Sequence, residues 1–212
     1  MKDIMAELAA TTRETGTVAE GRTVVLRRTY PADVADVWDA LTTAERIPRW
    51  FLPVSGELRL GGHYQFEGNA GGEVLACEPP RLLRVSWVMG DPTAFSEVTV
   101  RLSPVDDGTL FELTHVATVP PEFWDQFGPG AVGVGWDGAL LGLALHLRSG
   151  AAVADHEAFE GSPEGREFMT ASARAWGEAH RASGVGAEVA DAAVAATTAF
   201  YVPPPDHGSA MS

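Results

Sequence analysis

Apolar and polar residues alternate through the middle of the chain, which is the pattern of strands with one buried face. Gly61-Gly62 and Asp107-Gly108 separate alternating runs and predict hairpin turns. With a further strand predicted over residues 22–32, the pattern indicates an antiparallel meander with one solvated face and one dry face. The positions predicted to share the dry face are, strand by strand, Leu83, Val85, Trp87 and Met89, then Val98, Val100 and Leu102, then Phe111, Leu113 and His115.

Segments whose apolar residues have helical spacing precede and follow this run of predicted strands. Asp33 is a good N-cap for a helix with Val34, Val37 and Leu41 on one side, and Pro48 limits a second short helix. After the strands, the segment GWDGALLGLALHL holds one acidic residue, one histidine and otherwise glycine and apolar residues. We predict that this long helix lies across the dry face of the sheet. The residues of its apolar stripe are Trp136, Leu140, Leu143 and Leu147.

The patterns divide the chain into four parts. Residues 1–20 show no firm pattern and are predicted to be a loosely ordered lead. Residues 21–150 hold the strands and the long helix. Residues 151–202 are predicted to be a helical extension of two helices, the first with Ser162 as N-cap and Pro163 at its first position. Residues 203–212 are predicted to be a disordered tail.

The helical extension has little bulk of its own. Apart from a few large side chains, its stripes consist of alanine, serine and threonine, which bury little area each. We therefore predict that it docks on another surface. The first choice is its own domain, and the alternative is a second copy of the chain in a homodimer with contacts through Trp176 and Phe200.

Composition narrows the classes of partner. The chain has 212 residues and a formal net charge of -14, so a phosphate backbone would be repelled and a nucleic-acid partner is excluded. Its single cysteine excludes an intrachain disulfide framework. Neither an apolar run of the ~20 residues that a membrane span needs nor a secretion signal is visible. We expect a cytoplasmic protein without membrane insertion.

No motif predicts a metal, a cofactor or covalent catalysis. The histidines lack the spacing of a zinc site, and no G-x-S-x-G turn offers a nucleophile. Gly128, Gly130 and Gly133 match G-x-G-x-x-G, but they follow Pro120-Pro121 rather than a buried strand. The run GPGAVGVG is therefore predicted to be a flexible connection ahead of the long helix.

The order of several segments resembles a known family. VVLRRTYPADVADVWDALTTAERIPRWF, LRLGGHYQFE, GEVLACEPPRLLRVSW, DDGTLFELTHV and GWDGALLGLALHL follow one another as in the START-like SRPBCC superfamily, in its branch named after the activator of a heat-shock-protein ATPase. The resemblance covers roughly residues 22–148. It implies an α+β helix-grip fold, in which a curved antiparallel sheet wraps around a long C-terminal helix and encloses an apolar cavity. The helical extension is not part of the pattern.

The resemblance leaves three functions open, because one fold serves many functions. The first is binding of a small hydrophobic or amphipathic ligand in the cavity. The second is a protein-interaction role as a chaperone cofactor or regulator. The third is a cyclase- or dehydratase-like activity with His115 as general acid or base, a residue that could meet His146. The candidate ligand-binding residues are Trp50, Tyr64, Phe66, Trp87, Phe111, His115, Phe127, Trp136, Leu140 and Leu143.

Overall fold

The computed structural model describes residues 2–91, 93–150 and 156–203, and within these ranges eight strands form one curved antiparallel sheet. The strands are β1 (Thr12–Val18), β2 (Gly21–Tyr30), β3 (Val54–Gly56), β4 (His63–Phe66), β5 (Gly71–Glu78), β6 (Leu82–Ser86), β7 (Ser96–Val105) and β8 (Gly108–Ala117). Their order across the sheet is β1-β2-β8-β7-β6-β5-β4-β3. The meander is interrupted where β2 lies beside β8, so the strand predicted before the helices pairs with the last strand.

Helices cover the dry face of this sheet and extend beyond it. They are α1 (Lys2–Ala9), α2 (Val34–Thr42), a 3-10 turn (Ile47–Arg49), α3 (Pro121–Phe127), α4 (Gly130–Ser149), α5 (His156–Gly161), α6 (Pro163–Ala182) and α7 (Ala187–Tyr201). The long helix α4 packs against the sheet, and the hydroxyl of Tyr30 on β2 donates to the carbonyl of Leu140 on α4 at 3.1 Å. The predicted α+β helix-grip fold is confirmed.

Alternation predicted the dry face of β7 and β8 correctly. The cross-strand pairs that bring the predicted residues together, all buried, are Val98 with His115, Val100 with Leu113, and Leu102 with Phe111. The prediction for Met89 is wrong, since its side chain is 70% exposed. β6 ends at Ser86, three residues before Met89, so the alternation of the strand does not extend to Met89, and the chain turns directly after it at Gly90, whose φ is 88°.

The N-terminal segment is ordered, contrary to the prediction for residues 1–20. After α1, strand β1 pairs with β2 from Thr12 opposite Arg27 to Val18 opposite Gly21. β1 has the sequence TRETGTV, in which polar residues fall on both faces. The apolar alternation that marks the other strands is therefore missing, and main-chain pairing at the edge of the sheet defines the strand instead.

Helix α4 begins earlier than the sequence indicated. The run predicted to be a flexible connection largely forms its first turns, because Gly130 and Gly133 let other helices approach closely. A Cβ atom at Gly133 would overlap the indole of Trp176 on α6, and one at Gly130 would overlap the side chain of Thr197 on α7. By length and composition α4 could span a bilayer, but 61% of its apolar window is buried inside the fold.

The C-terminal helices pack on the side of α4 that faces away from the sheet. Ser162 caps α6 as predicted, since its hydroxyl accepts a hydrogen bond from the Gly165 amide at 3.0 Å. Trp176 on α6 is fully buried against its own chain. The prediction of a homodimer contact through Trp176 is therefore wrong. Phe200 on α7, the other residue of that prediction, is 62% exposed. The predicted tail lies, from residue 204 onward, outside the described residues.

Candidate functional site

A cavity of about 110 Å³ lies between the sheet and α4. It also borders α2 and the 3-10 turn, which close one side. Most of the predicted site residues line it: Trp50, Tyr64, Phe66, Trp87, Phe111, Trp136, Leu140 and Leu143. The cavity is therefore built from side chains of all the elements that the sequence assigned to the dry interior.

Further lining residues were not among the predicted site residues. They are Leu41, Thr42, Ile47, Phe51, Leu58, Val74, Cys77, Leu83, Val85, Val98, Val100, Leu113 and Ala139. Alternation had already placed Leu83, Val85, Val98, Val100 and Leu113 on the dry face, so that signal could have identified them. Ile47 and Phe51 lie in and after the 3-10 turn, where no periodicity indicates which way a side chain points.

Two predicted residues do not line the cavity. Phe127 lies at the end of α3, where its ring packs 4.9 Å from Phe123 and 5.8 Å from Phe200, measured between ring centroids. The prediction for Phe127 as a cavity residue is wrong, because the turn at Gly128 directs α3 toward α7 rather than toward the sheet. His115 lies behind Trp136, which separates it from the cavity.

Aromatic rings form one wall of the cavity. The centroids of Trp87 and Trp136 are 4.9 Å apart, and those of Phe66 and Trp87 are 5.5 Å apart. Phe51 meets Phe66 edge to face at 4.9 Å. Phe51, Phe66, Trp87 and Trp136 are only partly buried, so this wall separates the cavity from solvent.

The polar atoms in the wall are bonded inside the protein. The indole N–H of Trp50 donates to the carbonyl of Ala40 at 2.9 Å, and the hydroxyl of Tyr64 donates to the carbonyl of Ser86 at 2.7 Å. The hydroxyl of Thr42 donates within its own helix. Burial raises the pKa of Tyr64, so its hydroxyl stays protonated. These bonds leave a largely apolar surface facing the cavity.

His115 is held neutral by its surroundings. The indole N–H of Trp136 donates to its Nδ1 at 3.2 Å, and its Nε2 lies 2.9 Å from the hydroxyl of Ser96. Because an indole N–H only donates, Nδ1 accepts and the ring proton resides on Nε2. Burial lowers the pKa of His115 to about 4. Both nitrogens are engaged, which argues against His115 as a free general base.

The predicted meeting of His115 and His146 does not occur. His146 lies ten residues after Trp136 on α4, about 15 Å along the helix axis. Its Nε2 lies 3.4 Å from Nε of Arg46. Among the residues that the structure describes, no group of histidine, cysteine, aspartate and glutamate is arranged to hold a metal ion.

Comparison with known proteins places this chain in a family. The family described as "Activator of Hsp90 ATPase homolog 1-like protein" matches residues 31–148, which is more than half of the chain. The chain belongs to this family. The match to the activator of Hsp90 ATPase homolog 1-like family ends with α4 and leaves out α6 and α7.

Among solved structures, the crystal structure of CalU16 from Micromonospora echinospora is 38% identical, covers 81% of this chain and 99% of its own, and has a TM-score of 0.64. Its solution structure gives a TM-score of 0.65. The solution structure of the Aha1 dimer from Colwellia psychrerythraea is 20% identical, covers 60% of this chain and 97% of its own with a TM-score of 0.52, and shows the fold alone. None of the curated proteins matches the chain.

Proposed function

We propose that the protein binds a small hydrophobic or amphipathic molecule in the cavity between its sheet and α4. The observation that carries this proposal is the wall itself. Its surface is apolar, and the polar atoms of Thr42, Trp50 and Tyr64 are already bonded within the protein. A pocket of this kind gains free energy by removing apolar ligand surface from water and offers little to a strongly polar ligand.

The size of the cavity limits the ligand. At about 110 Å³ it is somewhat smaller than an engineered apolar cavity of about 150 Å³ that holds benzene. A single ring or a short branched chain therefore matches the present volume. A larger ligand would have to displace the partly buried rings of Phe51, Phe66 and Trp87 toward solvent.

The alternatives have weaker support. Acid-base catalysis by His115 would pass through a protonated ring, and burial disfavours that ring by lowering the pKa of His115 to about 4. A protein-interaction role, including a homodimer, has the exposed rings of Phe123 and Phe200 in its favour. Light scattering on the full chain would measure self-association directly.

The proposal is tested by titrating the protein with toluene and recording the indole N–H signals in NMR spectra. Three of the six tryptophans, Trp50, Trp87 and Trp136, line the cavity, whereas Trp38, Trp124 and Trp176 do not. We expect toluene to shift the three cavity signals in a saturable manner and to leave those of the other three tryptophans unchanged. Equal shifts of all these signals would contradict a specific site.

A blocking variant with a matched control makes the test sharper. Val100 on β7 lines the cavity, and Val105 at the end of the same strand is 42% exposed. We expect Val100→Phe to fill the cavity and weaken toluene binding at least about tenfold, because the added ring occupies the volume of the ligand. Val105→Phe adds the same atoms outside the cavity and should bind toluene as the wild type does.

A further inference from the structure

One polar contact at the cavity wall differs from the others. Trp50, Tyr64 and Thr42 donate to main-chain carbonyls, which secondary structure holds in place. Trp136 donates instead to a side chain, the Nδ1 of His115. Directly behind the wall there is therefore a hydrogen-bond acceptor whose partner on the cavity side is a neighbouring indole ring.

The structure fixes His115 as an acceptor on the side of Trp136. Its Nε2 proton is directed to the hydroxyl of Ser96, so Nδ1 carries the lone pair. His115 is 7% exposed, so water does not readily replace Trp136 on Nδ1. If the indole moved away without a substitute, a buried acceptor would lose its partner, which is unfavourable.

Trp136 itself can leave this contact more easily. Its side chain is only partly buried and borders the wall that faces solvent, so its N–H can bond to water after a rotation. A ligand that brings its own donor would then satisfy His115 in its place. The exchange replaces one hydrogen bond by another, with Nδ1 of His115 as the acceptor in both.

Resting on the proposed function, we infer that the ligand is a neutral molecule with an apolar body and one hydroxyl or N–H donor, and that this donor replaces the indole N–H of Trp136 on Nδ1 of His115. His115 is then the residue that determines specificity. Ionised ligands are disfavoured, because no charged side chain in the described part of the chain lines the cavity.

The test compares phenol with toluene, which have nearly the same shape and differ in one donor. The quantity measured is the ratio of the two dissociation constants, obtained by NMR titration, so that differences in the hydration of the free ligands cancel between variants. We expect His115→Phe to shift this ratio against phenol by about tenfold, because the acceptor is lost. His63→Phe is the matched control on an exposed histidine and should leave the ratio unchanged.

A second variant guards against misfolding of the first and predicts the opposite direction. Trp136→Phe removes the competing donor and leaves Nδ1 of His115 open, so the ratio should shift toward phenol. In the wild type, phenol but not toluene should also change the nitrogen chemical shift of His115 Nδ1. If toluene binds while the ratio is the same in all variants, the inference about the donor is overturned and the proposed function stands. If neither ligand binds the wild type, the proposed function fails with it.

Discussion

At the scale of single residues, two buried polar side chains, one on β8 beside α4 and one on α4 itself, are stabilised differently. His115 stays neutral and bonds to Ser96 and Trp136. Asp137 is almost fully buried, and burial raises its pKa, while Arg13 at 2.9 Å acts in the opposite direction. The carboxylate also accepts from Ser172 at 2.5 Å and from the indole of Trp176 at 3.0 Å. The cost of burying the carboxylate of Asp137 is therefore offset by the charge of Arg13 and by hydrogen bonds, whereas His115 avoids such a cost by staying neutral.

The neutrality of His115 predicts how stability depends on pH. Folding lowers its pKa from 6.5 to about 4, so the unfolded chain binds the proton more tightly. The contribution of neutral His115 to the free energy of unfolding is about 3 kcal/mol. It is fully present above pH 6.5 and is lost as the pH falls toward about 4. Urea unfolding of the wild type and of His115→Gln between these pH values measures the difference.

The comparison with the variant is needed because many carboxylates also titrate in this range. A glutamine side chain cannot take up a proton, so His115→Gln should lose less stability than the wild type over the same interval. His63→Gln, which removes an exposed histidine, should behave like the wild type. Parallel curves for the wild type and His115→Gln would show that His115 is not held neutral by the fold.

At the scale of elements, the glycines of α4 have two different surroundings. Gly133 faces Trp176, and an added Cβ would overlap the indole ring, whereas Gly138 has open space around the same position. In a helix interior alanine is favoured over glycine by about 1 kcal/mol. Alanine substitutions at the two sites therefore distinguish the effect of helix propensity on stability from the effect of packing between helices.

We expect Gly138→Ala to raise the free energy of unfolding by about 1 kcal/mol. Gly133→Ala should lower it by about 1 to 3 kcal/mol, because the overlap with Trp176 outweighs the gain in propensity. Chemical denaturation of both variants gives the two values. Equal stabilisation of both would mean that α6 adapts to the added methyl group without cost.

These elements show which parts of the fold the sequence predicts. Apolar alternation identifies strands with one buried face, so β7 and β8 were predicted with the correct faces. β1 carries no such alternation, because its edge position is maintained by main-chain pairing. The glycines at the start of α4 suggest a loop when they are considered alone. Their role becomes visible only when Trp176 is placed against them, more than forty residues later in the chain.

In the cavity, too, the sequence predicts which face of an element is buried but not which distant elements meet. Its aromatic wall was predicted because Trp87, Phe111 and Trp136 fall on stripes that point inward. The contact between His115 and Trp136 was not, since it joins a strand to a helix across α3. Phe127 was misplaced for the same reason, because periodicity assigns a residue to a face of its own element but does not position that element in space.

At the scale of the whole molecule, Asp137 connects parts of the chain that are far apart. Arg13 reaches it from β1, and Ser172 and Trp176 reach it from α6. Gly133, Asp137 and Leu141 follow one another at helical spacing on the side of α4 that faces away from the cavity. The C-terminal helices therefore cover a face of the central helix that would otherwise be exposed to water.

Deletion of residues 151–212 is expected to make the protein aggregate or lose cooperative unfolding. The truncation exposes the apolar face of α4 and removes two of the donors that stabilise the buried charge of Asp137. Size-exclusion chromatography with light scattering and a thermal melt measure the two effects. Deletion of residues 204–212 alone is the control, and it should leave the oligomeric state, the melting temperature and toluene binding unchanged. If the longer truncation stays monomeric with the same melting temperature, α6 and α7 do not stabilise the domain, and their packing on α4 must serve another purpose.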